Sequence, residues 1–128
     1  MSGKRQRAEA RGRRAEWIAR WWLRAKGYRI LDHRARTAAG EIDLIAMRGK
    51  VLAFIEVKAR LSVDEAIGSV GPRQRGRIIR AASLWYARHQ AFQGLHFRYD
   101  LFLVAPGSWP VHHRAAFVPE DTYSANLL

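Results

Sequence analysis

The chain has no cysteine among its 128 residues. This excludes a disulfide framework, a thiol nucleophile and a Cys-ligated zinc site, and it fits a reducing compartment. No apolar run approaches the roughly 18 residues of a membrane-spanning segment. The basic start, MSGKRQRAEARGRR, is not followed by an apolar stretch, so no secretory signal is expected and the expected location is cytoplasmic. Internal repeats, low-complexity tracts and interdomain linkers are also missing. Acidic residues are scarce, 11 against 23 Lys and Arg, for a net charge of +12. The imbalance is uneven: residues 1–36 hold 12 basic residues against Glu9, Glu16 and Asp32. GPRQRGRIIR, residues 71–80, adds four arginines and no acid. A field of that sign draws polyanions and speeds encounter with them. Nucleic acid, DNA in particular, is the expected partner; no membrane and no small-molecule organic cofactor is expected.

What the chain does contain is enough apolar material for a core. Hydrophobic residues make up 48% of it, and a chain of this length buries roughly two-thirds of its unfolded surface without a metal or disulfide. Residues 1–8 read as a flexible basic arm and 9–128 as one domain. From 9 to 26 the spacing predicts a helix, with Ala15, Ile18, Trp22 and Ala25 on one face and Gly27 as its stop. YRIL (28–31) reads as a short strand and DHRARTAAG (32–40) as a polar connection. EIDLIAM and VLAFIEVK are the clearest strands, followed by a loop with a short helical turn. A second helix runs from Arg73 to about His89 with Ile78, Ala82 and Trp85 buried. LHFRYDLFLV (95–104) gives another strand, VHHRAAFV (111–118) an edge strand, and PEDTYSANLL carries little structural signal. The order predicts a mixed α/β domain.

Two acids and an amine interrupt the strands of GEIDLIAMRGKVLAFIEVK, residues 40–58. Glu56 and Lys58 are two apart and so project from the same strand face. If the hairpin turns at Gly49 and Lys50, Arg48 faces Val51 and, farther down the ladder, Asp43 faces Glu56. Directly opposed Cβ atoms lie about 4.5 to 5.5 Å apart. Two carboxylates about 5 Å apart repel by about 3 kcal/mol at an effective dielectric of about 20. A divalent cation relieves that repulsion more fully than Lys58 does. Mg²⁺ or Mn²⁺ takes such oxygen ligands, with water and phosphate completing the shell. The competing reading is a solvated sheet edge, or Lys58 simply neutralising Glu56. Glu16 has the same two-sided character: it can approach the acids from the first helix, or pair with Arg20 on the surface for about 0.2 to 0.5 kcal/mol.

With RGRRAEWIARWWLRAKGYRIL, GEIDLIA, FIEVKAR and FRYD in view, the chain resembles the bacterial YraN-like proteins, the UPF0102 family. That family is similar to the restriction-endonuclease-like, PD-(D/E)xK superfamily related to archaeal Holliday-junction resolvases. The resemblance implies a restriction-endonuclease-like α/β fold, a central mixed β-sheet flanked by helices. It implies metal binding by Asp43 and Glu56, with Lys58 and Glu16 completing the catalytic group and Mg²⁺ or Mn²⁺ as cofactor. In the stretch leading into the second helix the family usually carries a lysine; here Gln74 stands at that position, between Arg73 and Arg75. Those three residues and Arg60 are the expected nucleic-acid contacts. The implied activity is metal-dependent DNA endonuclease chemistry on branched or repair-intermediate DNA, with a homodimer suited to paired cuts. The alternative is a noncatalytic nucleic-acid-binding protein that retains a nuclease-like scaffold, and a third possibility is an interaction protein without nucleic acid.

Other residues are expected to do ordinary work. Trp17, Trp21 and Trp22 can stack with bases, but helix-to-sheet contact, or packing against a subunit, explains at least two of them more simply; Trp109 fits an exposed turn open to DNA or another subunit. His112 and His113 point to opposite faces of a strand and so form no shared metal site. Asp100 is expected to pair with Arg98 or a basic helix.

Overall fold

The computed structural model describes residues 2–119. Met1 and the tail beyond Pro119 lie outside the described residues. The first helix, α1, spans Ser2–Ala25. Residues 2–8, expected as a separate arm, therefore belong to the helix. The segment has good helix formers in Lys4, Arg5, Arg7 and Ala8, and an exposed Arg5–Glu9 pair at 3.5 Å spans one turn. Nothing polar and capping stands at residue 8 or 9 to start a helix there.

The seam of α1 is Ala15, Ala19 and Leu23, all buried. It lies around the helix from the expected face: Ile18 and Trp22 pack only at its margin, and Ala25 is exposed. Two alanines bring the helix backbone close to the sheet, leaving no room there for indoles. The helix closes as expected at Gly27. Its φ is 89°, its N–H donates to the Arg24 carbonyl, and the Tyr28 N–H reaches back to Leu23 at 2.9 Å. This is the paired-bond stop that a left-handed glycine permits. Tyr28 and Leu23 then enter the same apolar cluster.

Five strands follow in the spatial order of the chain: β1 (Arg29–Thr37), β2 (Gly40–Arg48), β3 (Val51–Ala59), β4 (His96–Val104) and β5 (Val111–Phe117). All neighbours are antiparallel except β3 and β4, which are parallel. The crossover between those two carries α2 (Val63–Gly68) and α3 (Pro72–Arg88). Ser62 caps α2 by accepting the Glu65 N–H, and Pro72 opens α3, a position where its missing N–H costs nothing. The protein is thus an α/β fold with a central mixed sheet flanked by helices.

Strand β1 is longer than YRIL. DHRART continues it as an edge strand, with a shift of register between Ile30 and Asp32. Polar side chains on both faces hid it, because an edge strand need bury little. The β2–β3 turn falls at Gly49 and Lys50, with Gly49 at φ 60° and Arg48 opposite Val51. One sheet face carries Ile45, Leu52 and Phe54 against Ile78, Ala82 and Trp85 of α3. The other carries Leu44, Ala46, Ala53 and Ile55 against α1. The sheet is therefore apolar on both sides, and polar groups within it stand out.

Candidate active site

The β2–β3 ladder runs from the turn to Leu44 opposite Ile55. The next positions inward are Asp43 and Glu56. Asp43 turns its carboxylate toward β3, where Oδ2 accepts the Val57 N–H at 2.8 Å. Glu56 lies two residues beyond Phe54 on the face covered by α3 and is 8% exposed. Its Oε1 receives the Lys58 ammonium at 3.2 Å and the Gln74 amide, which donates at 2.9 Å from the start of α3. The two carboxyl groups are close enough for each to act on the other's titration. Backbone pairing of the two strands ends one step short of the expected Asp43–Glu56 pair, at Leu44 and Ile55, and the two acidic side chains approach each other beyond it.

Burial dominates the electrostatics. It raises the pKa of Asp43, the neighbouring Glu56 charge raises it again, and together they push it up to about 8 against the opposing Val57 N–H. Burial also raises Glu56, although the Lys58 ammonium, the Asp43 contact and the charge of Arg77 work the other way. Metal-free, the pair holds a proton at neutral pH that ordinary carboxyls release. The fold maintains two acids where neither is electrostatically comfortable. Such an arrangement marks functional sites more often than structural ones.

Glu16 approaches from α1. Its charge is felt at Asp43, but its Oε2 accepts from Arg34 Nε at 2.8 Å. The surface pair with Arg20 is not formed. Arg34 lies on β1 at the register position across from Asp43, between the His33–Leu44 and Ala35–Ile42 pairs, with a left-handed φ of 49°. Among the described residues, no group of three or more His, Asp or Glu side chains gathers at metal-ligand spacing. The potential donors are therefore the Asp43–Glu56 pair, with Glu16 held back by Arg34.

The expected phosphate contacts divide. Gln74 reaches the site itself. Arg75 is half-buried, with its Nε enclosed and lacking a partner. Arg73 is exposed on the first turn of α3. Arg60 folds onto the Ala59 carbonyl at 2.8 Å and lines a cleft of about 330 Å³ with Arg11 and Arg14. Glu41 stays outside the centre, exposed beside Arg36.

Sequence reasoning missed two cations. Arg77 acts on Glu56 and lies across Gly40, where a Cβ would meet its Cδ at 2.8 Å. The i, i+3 spacing from Gln74 placed it on the same helix face, so that signal was present. Arg34 was not findable while its segment read as a connection.

A second buried polar cluster lies elsewhere, on β4 and β5. Asp100 is fully buried. Arg98 donates to both of its oxygens, at 2.9 and 2.8 Å; His112 bonds it at 2.8 Å and the Ala115 N–H at 3.0 Å. Burial opposes its charge, but the bonds from His112, Arg98 and Ala115 outweigh that and hold its pKa below the ordinary carboxylate value. Arg98 also bonds the Tyr28 hydroxyl, tying β4 to the end of α1. The structure thus makes Asp100 a fastening, as expected. His113 is exposed and faces away. Trp109 is 82% exposed; of the three helix tryptophans Trp22 packs against the core, while Trp17 and Trp21 are 55% and 56% exposed and so lie outside the helix-to-sheet contact.

Fold and site together define an α/β protein whose mixed sheet buries a carboxylate pair beside a lysine, on a strongly basic chain. Comparison with known proteins gives the family. Residues 15–104 match the profile described as "Uncharacterised protein family UPF0102". A UPF0102 protein of Maricaulis maris (strain MCS10) is 66% identical over 122 residues, covering 95% of this chain and 96% of that protein. Relatives from Chelativorans sp. (strain BNC1) and Mesorhizobium japonicum are 52% and 48% identical, covering 84% and 91% of this chain and 87% and 93% of their own lengths. The chain belongs to the UPF0102 family. Among the described residues, no helix is long and apolar enough to cross a membrane.

Proposed function

We propose that this protein is a restriction-endonuclease-like, metal-dependent DNA endonuclease of the PD-(D/E)xK type, hydrolysing phosphodiester bonds in branched or repair-intermediate DNA. The observation that carries this reading is the buried meeting of Asp43 and Glu56 with Lys58 3.2 Å from Glu56. Two carboxylates fit a small divalent cation whose remaining ligands are water and substrate oxygens. Mg²⁺ or Mn²⁺ there would supply Lewis acidity and a more acidic water.

The chain's own residues account for the rest. Asp43 and Glu56 hold negative oxygens in a site from which apolar strands exclude bulk water. The Val57 N–H fixes the Asp43 carboxylate, and Gln74 and Lys58 fix that of Glu56. A phosphate that drew Lys58 from Glu56 would gain an ammonium where its charge develops in the transition state. Arg73, Arg75 and Arg77, on the first turns of α3, offer phosphate contacts along the strand leading to that point. A homodimer would present two centres for paired cuts at a branch.

One observation favours the noncatalytic reading. Gln74 occupies the usual lysine position and donates to Glu56, so it brings no positive charge to phosphate. The two readings separate on linear, nicked, single-stranded and branched DNA, each with Mg²⁺, Mn²⁺ or chelator. The nuclease gives metal-dependent products that disappear in Asp43→Ala, Glu56→Ala and Lys58→Ala. Binding without product on any substrate supports the scaffold reading, and cleavage unchanged in all three variants assigns the activity to a contaminant.

A further inference from the structure

Trp17 and Trp21 stand one helical turn apart on the outer flank of α1, each more than half exposed. Their rings meet edge to face with centroids 6.4 Å apart. The Arg24 guanidinium lies 5.3 Å from the centre of the Trp21 ring. With Arg20 they form one wall of a cleft of about 540 Å³, whose other wall is Ile30–His33 on the edge strand β1. Among the described residues, neither Arg20 nor Arg24 has an acidic partner. Two large apolar side chains and two cations without acidic partners thus share one surface that the fold leaves uncovered; Asp32 on the opposite wall is engaged by the Trp85 indole N–H.

The surface also has a definite place. Glu16 precedes Trp17, and its carboxylate is held by Arg34, whose strand position lies across from Asp43. The cleft therefore lies on the β1 side of the sheet, the side from which Glu16 and Arg34 face Asp43.

We propose that the Trp17–Trp21 surface is a stacking platform for unpaired bases of a nucleic-acid strand. This deepens the nuclease reading, on which it rests for the role of the neighbouring centre. The chemistry favours that occupant. Indole faces accept any base by stacking, and flanking arginines follow the phosphates. A duplex keeps its base faces stacked internally and would offer the indoles only its edges. A second copy packed on this same face about a two-fold axis would set the Arg20 and Arg24 cations of the two copies against one another, which opposes association here. The platform would select DNA with unpaired bases next to the scissile phosphate.

Fluorescence anisotropy tests this with the full-length protein in chelator, so that no cleavage intervenes. The probes are labelled oligothymidine and a labelled duplex of equal length, at one fixed salt concentration. Trp17→Ala and Trp21→Ala should each weaken oligothymidine binding by about 5-fold to 150-fold, the loss of one stacked base, while duplex binding changes less than about 2-fold. Trp17→Phe should retain most of the affinity, and circular dichroism should show unchanged helix content because both indoles are exposed. Equal losses on both probes, or no loss on either, overturn the proposal. So does a change of oligomeric state in the alanine variants with DNA affinity intact, which would make the surface a protein interface. Cleavage is scored separately. Metal-dependent cutting with no single-strand effect removes the platform alone, and selective binding with no cutting removes the nuclease reading alone.

Discussion

Replacing Asp43 with Asn should stabilise the protein, and more so as the pH rises. The substituted amide keeps a carbonyl oxygen for the Val57 N–H, now accepted by Asp43 at 2.8 Å, and can donate to Glu56 from its nitrogen. It removes one of two buried negative charges. With both acids ionised about 5 Å apart, their repulsion is about 3 kcal/mol at an effective dielectric of about 20. The pKa displacement gives an independent bound: moving Asp43 from 3.8 to about 8 corresponds to at most about 6 kcal/mol at ~1.4 kcal/mol per unit. Burial is the largest cause of that displacement and the Glu56 charge the second, so the repulsion of about 3 kcal/mol lies within the bound.

The sign follows from proton uptake. The native state keeps a proton that the unfolded chain releases above about pH 4, so wild type loses stability relative to the variant as pH rises toward 8 and levels off beyond it. Urea denaturation in chelator at about pH 5, 7 and 9 measures this directly. The variant should already lead wild type modestly at the lowest pH, which lies above the pKa of the unfolded carboxyl, and exceed it by about 3 kcal/mol at the highest. A difference independent of pH, or a variant less stable at high pH, would show that the carboxylates are not forced together.

Mg²⁺ or Mn²⁺ should raise the melting temperature of wild type, because binding to the native state adds RT ln(1 + [L]/Kd); Asp43→Asn should show little of this shift, and chelator should reverse it. Asp100→Ala should cost about 3 kcal/mol at neutral pH, toward the low end for a broken buried pair, since it strands the half-buried Arg98 charge. Because the folded carboxyl titrates below its ordinary 3.8, that stabilisation should be fully present above this pH and fade only as acid carries the protein through the lower folded value, as thermal melts in acid can follow. Gln74→Ala should remove a hydrogen bond to an acid, worth about 1.5 to 3 kcal/mol when the acid is charged. It should move the acidic limb of any cleavage pH profile upward, whereas Gln74→Lys should move it downward.

The centre of the fold was legible because its signals were local and strong. Gly49–Lys50 is a two-residue hairpin turn between branched, apolar strands, and it set the register that runs to Leu44 and Ile55, one step from Asp43 and Glu56. Gly27 ended α1 because its position needs positive φ, and Ile78, Ala82 and Trp85 followed helical spacing into the core. The margins were less legible. DHRART became strand because β2 pairs with it, a tertiary cause that leaves no alternation in an exposed edge. The buried side of α1 was misplaced because alanines at 15 and 19 carry little hydrophobic weight, although their small size lets the helix approach the sheet. The tryptophans drew the expected face toward themselves, and the structure turns Trp17 and Trp21 outward. Glu16 could be read either toward Asp43 or toward Arg20; its charge is felt at Asp43, but its actual partner Arg34 was hidden by the same misread edge strand.

Metal-dependent cleavage of branched and single-stranded DNA, by wild type and by Asp43→Ala purified in parallel, tests the central claim most directly. The account predicts product with Mg²⁺ or Mn²⁺, none with chelator, and loss of at least about 100-fold in the variant, whose removed group would hold the ion. Equal cleavage by the two proteins, or binding by folded wild type without product under any metal, would contradict it.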